Sequence, residues 1–228
     1  MGKLSKFGLT GNQLKLIALV LMTVDHIGYL LFPGQRLFRI IGRLAMPIFA
    51  YMVAEGCRYT KNKAAYLGRL IAVAAVCQVV YFFAQDSLYQ CIFFTFSVSV
   101  GLIFLVQYTQ KRRGAAWLLL LPGLGIAWFL CEGLSAWIPG YAVDYGFCGA
   151  LLPVIIYLGR DRLSRWLNLV AGSVLVCLAF GGLQWYSLAA AIPLALYNGQ
   201  RGKTRIKYLF YLYYPAHLLV LHFLAYLI

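Results

Sequence analysis

The chain has 228 residues, 63% of them hydrophobic and only 11% charged, a balance that would leave far too much apolar surface in water and so excludes an ordinary soluble domain. Its 20 Lys and Arg against 6 Asp and Glu give a formal charge of +14, but the cations cluster between apolar runs instead of spreading over a groove. That pattern argues for positive-inside marking of a membrane protein and against a nucleic-acid partner.

The apolar runs, in chain order, are 14–32, 38–59, 64–85, 91–109, 115–131, 141–158, 166–181, 183–197 and 208–227. A transmembrane helix needs roughly 20 apolar residues, so about nine spans use up the whole chain and predict one all-α, polytopic helical bundle over residues 1–228. Helices are required because backbone exposed to lipid must satisfy its hydrogen bonds within its own segment, and the runs lack the alternation of barrel strands. The first run carries an Asp-His pair and no A-x-A site, so it reads as a retained helix and not as a cleavable signal. The weakest boundary is Gly181-Gly182, where two shortish runs meet.

Orientation follows from the connections. Lys3, Lys6 and Lys15 precede or open the first run, and later clusters are Arg58/Lys61/Lys63/Arg69, Lys111/Arg112/Arg113, Arg160/Arg162/Arg165 and Arg201/Lys203/Arg205/Lys207. Every second connection is basic, while those at 85–90, 132–140 and 181–182 carry no Lys or Arg. An odd span count in a bacterial plasma membrane, with the N-terminus cytoplasmic and the C-terminus outside, fits this alternation. Arg36 and Arg39, on the first outer connection, are the exception. Trp117, Trp137, Tyr141, Trp166, Trp185 and Tyr208 lie near run ends, as interfacial aromatic belts require. The six cysteines show no metal spacing and are expected to pack as small apolar residues, with Cys131 and Cys148 near the outer face as a candidate pair.

An ionisable side chain at mid-bilayer costs at least about 2.5–3.5 kcal/mol on insertion scales, which makes such residues candidates for function. Asp25, His26, Arg39, Arg43, Glu55, His217 and His222 form that set, on the first, second and last runs. At a rise of about 1.5 Å per residue, Asp25 lies roughly 17 Å and His217 roughly 14 Å from the cytoplasmic ends of their helices. Arg39 and Arg43 share one helical face, where like charges call for an anion opposite: Asp25, a lipid phosphate or a negatively charged substrate. Gly42 and Pro47 flank Arg43 and permit a close approach or a kink. Glu55 and Arg58, three apart, read first as a local ion pair. Tyr213 and Tyr214 are placed to flank His217, whereas His222 reads as a packed histidine. No second carboxylate near His217 and no H-x-x-x-H spacing is present, so no metal is predicted.

Several separated motifs carry a resemblance: Asp25-His26-Ile27-Gly28, Leu37 to Phe49 with Arg39, Gly42, Arg43 and Pro47, Glu55-Gly56 with Thr60-Lys61, Tyr66 with Arg69-Leu70, Phe93-Phe94-Thr95, and Phe210 to Leu218 containing Tyr213, Tyr214 and His217. In this order they resemble the TraX family of conjugal-transfer proteins associated with N-terminal acetylation of pilin, over nearly the full chain. Met46, where Phe is expected, and Cys91-Ile92 before Phe93 are departures that do not touch the polar residues.

The resemblance implies acyl transfer from cytoplasmic acetyl-CoA to an amine or hydroxyl, on a protein N-terminus, a lipid or an envelope glycan. It implies His26 as base with Asp25 orienting it, His217 flanked by Tyr213 and Tyr214 as rival or partner base, and Arg43 backed by Arg39 as oxyanion or acceptor-binding groups. Glu55, Arg58, Lys61, Lys63 and Arg69 are then candidates to line the inner mouth and receive the CoA phosphates, although positive-inside marking alone would put the cations there too. An acetyl-histidine intermediate is a further option. Two other readings account for the same charges: a small proton-coupled transporter or lipid translocase, and a non-catalytic assembly factor for a surface appendage.

Overall fold

A computed structural model describes residues 8–112, 114–202 and 207–227. Lys3, Lys6, Arg113, Lys203 and Arg205 of the basic clusters lie outside the described residues, as do the side chains of Lys207 and Tyr208. The fold is helical throughout. Helices are α1 (Gly11–Leu30), α2 (Arg36–Gly42), α3 (Ala45–Tyr59), α4 (Lys63–Gln85), α5 (Ile92–Arg112), α6 (Leu120–Cys131), α7 (Gly146–Leu158), α8 (Arg162–Phe180), α9 (Ala191–Ala195) and α10 (Lys207–Leu227).

Among the described residues, seven helices are long and apolar enough to cross a membrane, α2 and α3 counting together as Arg36–Tyr59 and α6 together with the 3-10 helix before it as Gly114–Cys131. Each predicted run corresponds to helical structure, but three take other forms: run 115–131 opens as a 3-10 helix, Gly114–Leu119, before α6. Run 141–158 becomes α7, a shorter apolar helix of 13 residues that starts only at Gly146. Run 183–197 folds as a 3-10 helix, Gly182–Ala190, continued by α9. Because a 3-10 helix rises about 2.0 Å per residue against 1.5 Å for an α-helix, this composite still reaches about 25 Å. The break at Gly181-Gly182 is real: both residues have positive φ, which glycine adopts without the cost of a Cβ.

Caps fix where helices begin. Thr10 forms a capping box with Gln13 ahead of α1, Asn62 caps α4 by accepting from the Ala65 N–H, and Asp161 forms a box with Ser164 ahead of α8. α3 belongs to the most buried span, packed against α1, α5 and α7. Between α2 and α3 the helix is interrupted at Arg43-Leu44. Pro47 falls in the first turn of α3, where its missing N–H costs nothing.

Close approach of α1 to α2 rests on two glycines. A Cβ on Gly28 would stand 2.3 Å from the Phe38 Cβ, and one on Gly42 would stand 2.2 Å from the Asp25 Cβ. A two-residue parallel strand pair, β1 (Tyr89–Gln90) with β2 (Ala142–Val143), ties the connection before α5 to the one before α7. All six cysteines are free. Cys131 and Cys148 do not pair because Cys131 packs toward Val143 and Ala150, whereas Cys148 lies two residues from Ala150, about 200° around α7.

Candidate functional site

At the end of the bundle where α1 finishes, side chains from α1, α2, α10 and the residue between α2 and α3 converge. Arg39 Nη1 donates to Asp25 Oδ2 at 2.6 Å and to the Asp25 carbonyl at 3.2 Å, and Arg43 Nη2 stands 3.8 Å from Asp25 Oδ1. The expected Asp25–Arg43 pairing is present, but Arg39 is the closer partner. Arg43 also donates to the Tyr145 hydroxyl at 3.1 Å. Asp25 Oδ1 and Arg43 Nε are buried and have no hydrogen-bond partner, so the cluster retains unspent polar capacity.

One helical turn away the two histidines meet, His217 Nε2 lying 3.4 Å from His26 Nδ1. The backbone settles their tautomers. His26 Nδ1 faces the Met22 carbonyl at 2.9 Å and His217 Nδ1 faces the Tyr213 carbonyl at 3.0 Å. A carbonyl has no proton to give, so in each ring Nδ1 carries the hydrogen and Nε2 a lone pair. His217 spends its lone pair on the His26 side. His26 Nε2 makes no hydrogen bond among the described residues.

Tyr213 and Tyr214 flank His217 as expected. The Tyr213 ring stacks on the imidazole at 5.2 Å and its hydroxyl lies 2.8 Å from Thr23 Oγ1, stitching α10 to α1. Tyr214 meets His217 edge-on at 5.2 Å and His26 at 6.0 Å. His222 is packed: its Nδ1 donates to the Leu218 carbonyl and its ring lies against Tyr81.

Glu55 and Arg58 do not join this centre. Arg43 and Glu55 are twelve residues apart, about 18 Å along the helix axis. Buried Glu55 pairs instead with Arg165 of α8, accepts from the Tyr197 hydroxyl at 3.4 Å, and stands 3.8 Å from Arg58 Nε. The local Glu55–Arg58 pair is therefore the weaker contact. Arg58 Nη2 donates to the Tyr157 and Gly159 carbonyls at the end of α7, the guanidinium stacks on the Tyr157 ring, and Nε has no hydrogen-bond partner among the described residues. Lys61 is exposed, Lys63 lies over the Phe104 ring at 5.2 Å, and Arg69 is half-buried with Nε unpartnered.

Two residues of the centre were not anticipated. Asp144, near the start of run 141–158, accepts from the Tyr89 hydroxyl at 2.7 Å, and its carbonyl accepts from Thr95 at 2.6 Å. Tyr145 follows it with φ +58° and reaches Arg43. The β1–β2 pair delivers both. The one signal in the sequence was an aspartate between apolar residues at the head of a run.

The profile of the family described as TraX protein matches residues 10–225. The chain belongs to the TraX family. Among curated proteins it is 24% identical over 238 residues to the probable fimbrial assembly protein FimC, serogroup H1, of Dichelobacter nodosus, covering 92% of this chain and 93% of that one. It is 27% identical over 157 residues to Protein TraX of Escherichia coli strain K12, covering 67% of this chain and 58% of that one. No solved structure matches. The family match spans every TraX-like motif of the sequence, including both histidine helices.

Proposed function

We propose that this TraX-family protein is a membrane-embedded acyltransferase that moves an acetyl group from cytoplasmic acetyl-CoA to an amine or hydroxyl acceptor. In this reading nine segments cross the bacterial plasma membrane, the N-terminus is cytoplasmic, and the Asp25 end of the bundle faces out. The observation that carries it is the His26 ring, whose Nδ1 proton is committed to the Met22 carbonyl. Its Nε2 lone pair is thereby available inside a buried centre that also holds guanidinium groups, the pairing that acyl transfer requires.

The chemistry runs as follows. The acceptor N–H or O–H gives its proton to His26 Nε2 as its heavy atom attacks the thioester carbonyl, and a C–N or C–O bond forms. Arg43 stabilises the oxyanion of the tetrahedral intermediate. The intermediate collapses with breakage of the C–S bond, and the CoA thiolate takes the proton back from the imidazolium. Asp25 holds Arg39 and Arg43 in place, and the His217 ring, its Nε2 3.4 Å from His26 Nδ1, packs beside the base and keeps it in register.

At the basic end, Arg58 is spent on the end of α7, which leaves Lys61, Lys63 and Arg69 as the cations suited to the CoA phosphates. The test is transfer of labelled acetyl from acetyl-CoA by purified protein in liposomes. His26→Ala is expected to abolish it; full transfer by that variant removes the histidine mechanism, and proton-coupled uptake without acetyl-CoA consumption supports a transporter instead. A second reading, an assembly factor without catalysis, is favoured by the name of the Dichelobacter relative. It requires that appendage assembly survive His26→Ala.

A further inference from the structure

Three arginines at positions 36, 39 and 43 recur at spacings of three and four, so they fall on one face of the α2 segment. Two carboxylates face them: Asp25, which engages Arg39 and Arg43, and Asp144, which acts electrostatically on Arg43. Arg36, one turn further out, is exposed and has no partner among the described residues. The stripe therefore carries one uncompensated positive charge, at Arg36. It does so on the side that positive-inside bias depletes of Arg, so insertion topology does not account for it. Arg43 Nε, buried and without a hydrogen-bond partner among the described residues, leaves the inner part of the stripe a donor to spare.

The surroundings say what kind of anion fits. Leu37 is 68% exposed and Ile41 46%, on the same short helix, and Tyr29 and Phe32 beside it are about half exposed. Exposed side chains of this kind on a membrane-spanning chain meet lipid tails. Arg39 lies over the Tyr29 ring at 5.1 Å, which holds its guanidinium at the boundary between the polar stripe and the apolar flank. A small free anion would use only the stripe. A molecule with a phosphate and acyl chains uses both.

We propose that the Arg36/Arg39/Arg43 stripe is the headgroup site of an anionic phospholipid in the outer leaflet, the phosphate held by Arg36 and Arg39 and the chains lying along Leu37 and Ile41. A guanidinium fork grips phosphate bidentately, which lysine cannot do. On the acetyl-transfer reading, on which only the lipid's purpose rests, this lipid is the acceptor, and its headgroup hydroxyl or amine is brought toward Arg43 and His26.

The test measures binding by the purified full-length chain in detergent, without acetyl-CoA, using dioctanoyl phosphatidate, dioctanoyl phosphatidylcholine and inorganic phosphate. Saturable phosphatidate binding, about tenfold tighter than either of the others and weakened by high salt, is expected. Arg36→Gln is expected to weaken it about tenfold while leaving the unfolding temperature unchanged. Arg39→Gln is expected to weaken it further. Equal binding of the two lipids, phosphate binding as tight as phosphatidate, or an Arg36→Gln variant that binds like the parent would each overturn the proposal. Tight phosphatidate binding without any acetyl transfer supports the site and removes the transfer reading alone.

Discussion

The lone pair on His26 Nε2 is set by a main-chain carbonyl four residues back, a contact that no side-chain substitution removes. His26→Ala should therefore cost acetyl transfer by about 10²–10⁴-fold, the range of a general base. His217→Ala should cost less, since it loosens the ring without removing the base, and measured initial rates separate the two. Tyr145→Phe removes one bond to a charged guanidinium, worth about 1.5–3 kcal/mol, and should lower both the unfolding temperature and the rate constant of transfer. Asp25, His26, Arg43 and His217 were legible in the sequence because a titratable group deep in an apolar run has to be explained. Asp144 and Tyr145 were not, because burial of a connection residue depends on which other connection covers it. Here the cover comes from Tyr89, 55 positions away. Glu55 misled for a related reason: Arg58 was near in sequence, but Arg165, 110 residues off, is the better partner.

At the scale of helices, the contact of α1 with α2 is a glycine contact. Gly42→Ala would drive a methyl into the Asp25 side chain and should lower the unfolding temperature and displace the Arg39 ion pair. Gly101→Ala, where an added Cβ meets nothing within 4 Å, should be neutral or stabilise α5 by about 0.5–1 kcal/mol. Thermal unfolding of both variants in the same detergent makes the comparison. The seven membrane-length helices and the interruption at Arg43 were readable from hydropathy and from the flanking Gly42 and Pro47. The 3-10 form of Gly182–Ala190 was not, since an all-apolar run carries no period from which to choose 3.0 over 3.6 residues per turn. Two-residue strands such as β1 and β2 are set by long-range pairing alone and leave no local trace.

Across the whole molecule, charge is gathered at two ends: the histidine and arginine centre at one, and Glu55 with Arg165, Arg58 and Tyr197 at the other. The second cluster clamps α3 to α8 and, through Arg58, to the end of α7. Removing either partner of a buried pair strands the other charge, so Glu55→Ala and Arg165→Ala should each destabilise the fold by about 3–5 kcal/mol. The double variant should lose clearly less than the sum, a coupling that a double-mutant cycle on unfolding measures. The histidine pair has a different consequence. His26 and His217 touch although 191 residues separate them, one on α1 and the other on α10. During translation, α1 enters the bilayer with its aspartate and imidazole lacking the tyrosines and histidine that later surround them, and most of the polypeptide is made before α10 arrives. A ribosome that stops short of α10 thus releases a product that has Asp25, His26, Arg39 and Arg43 but lacks Tyr213, Tyr214 and His217, its centre still open.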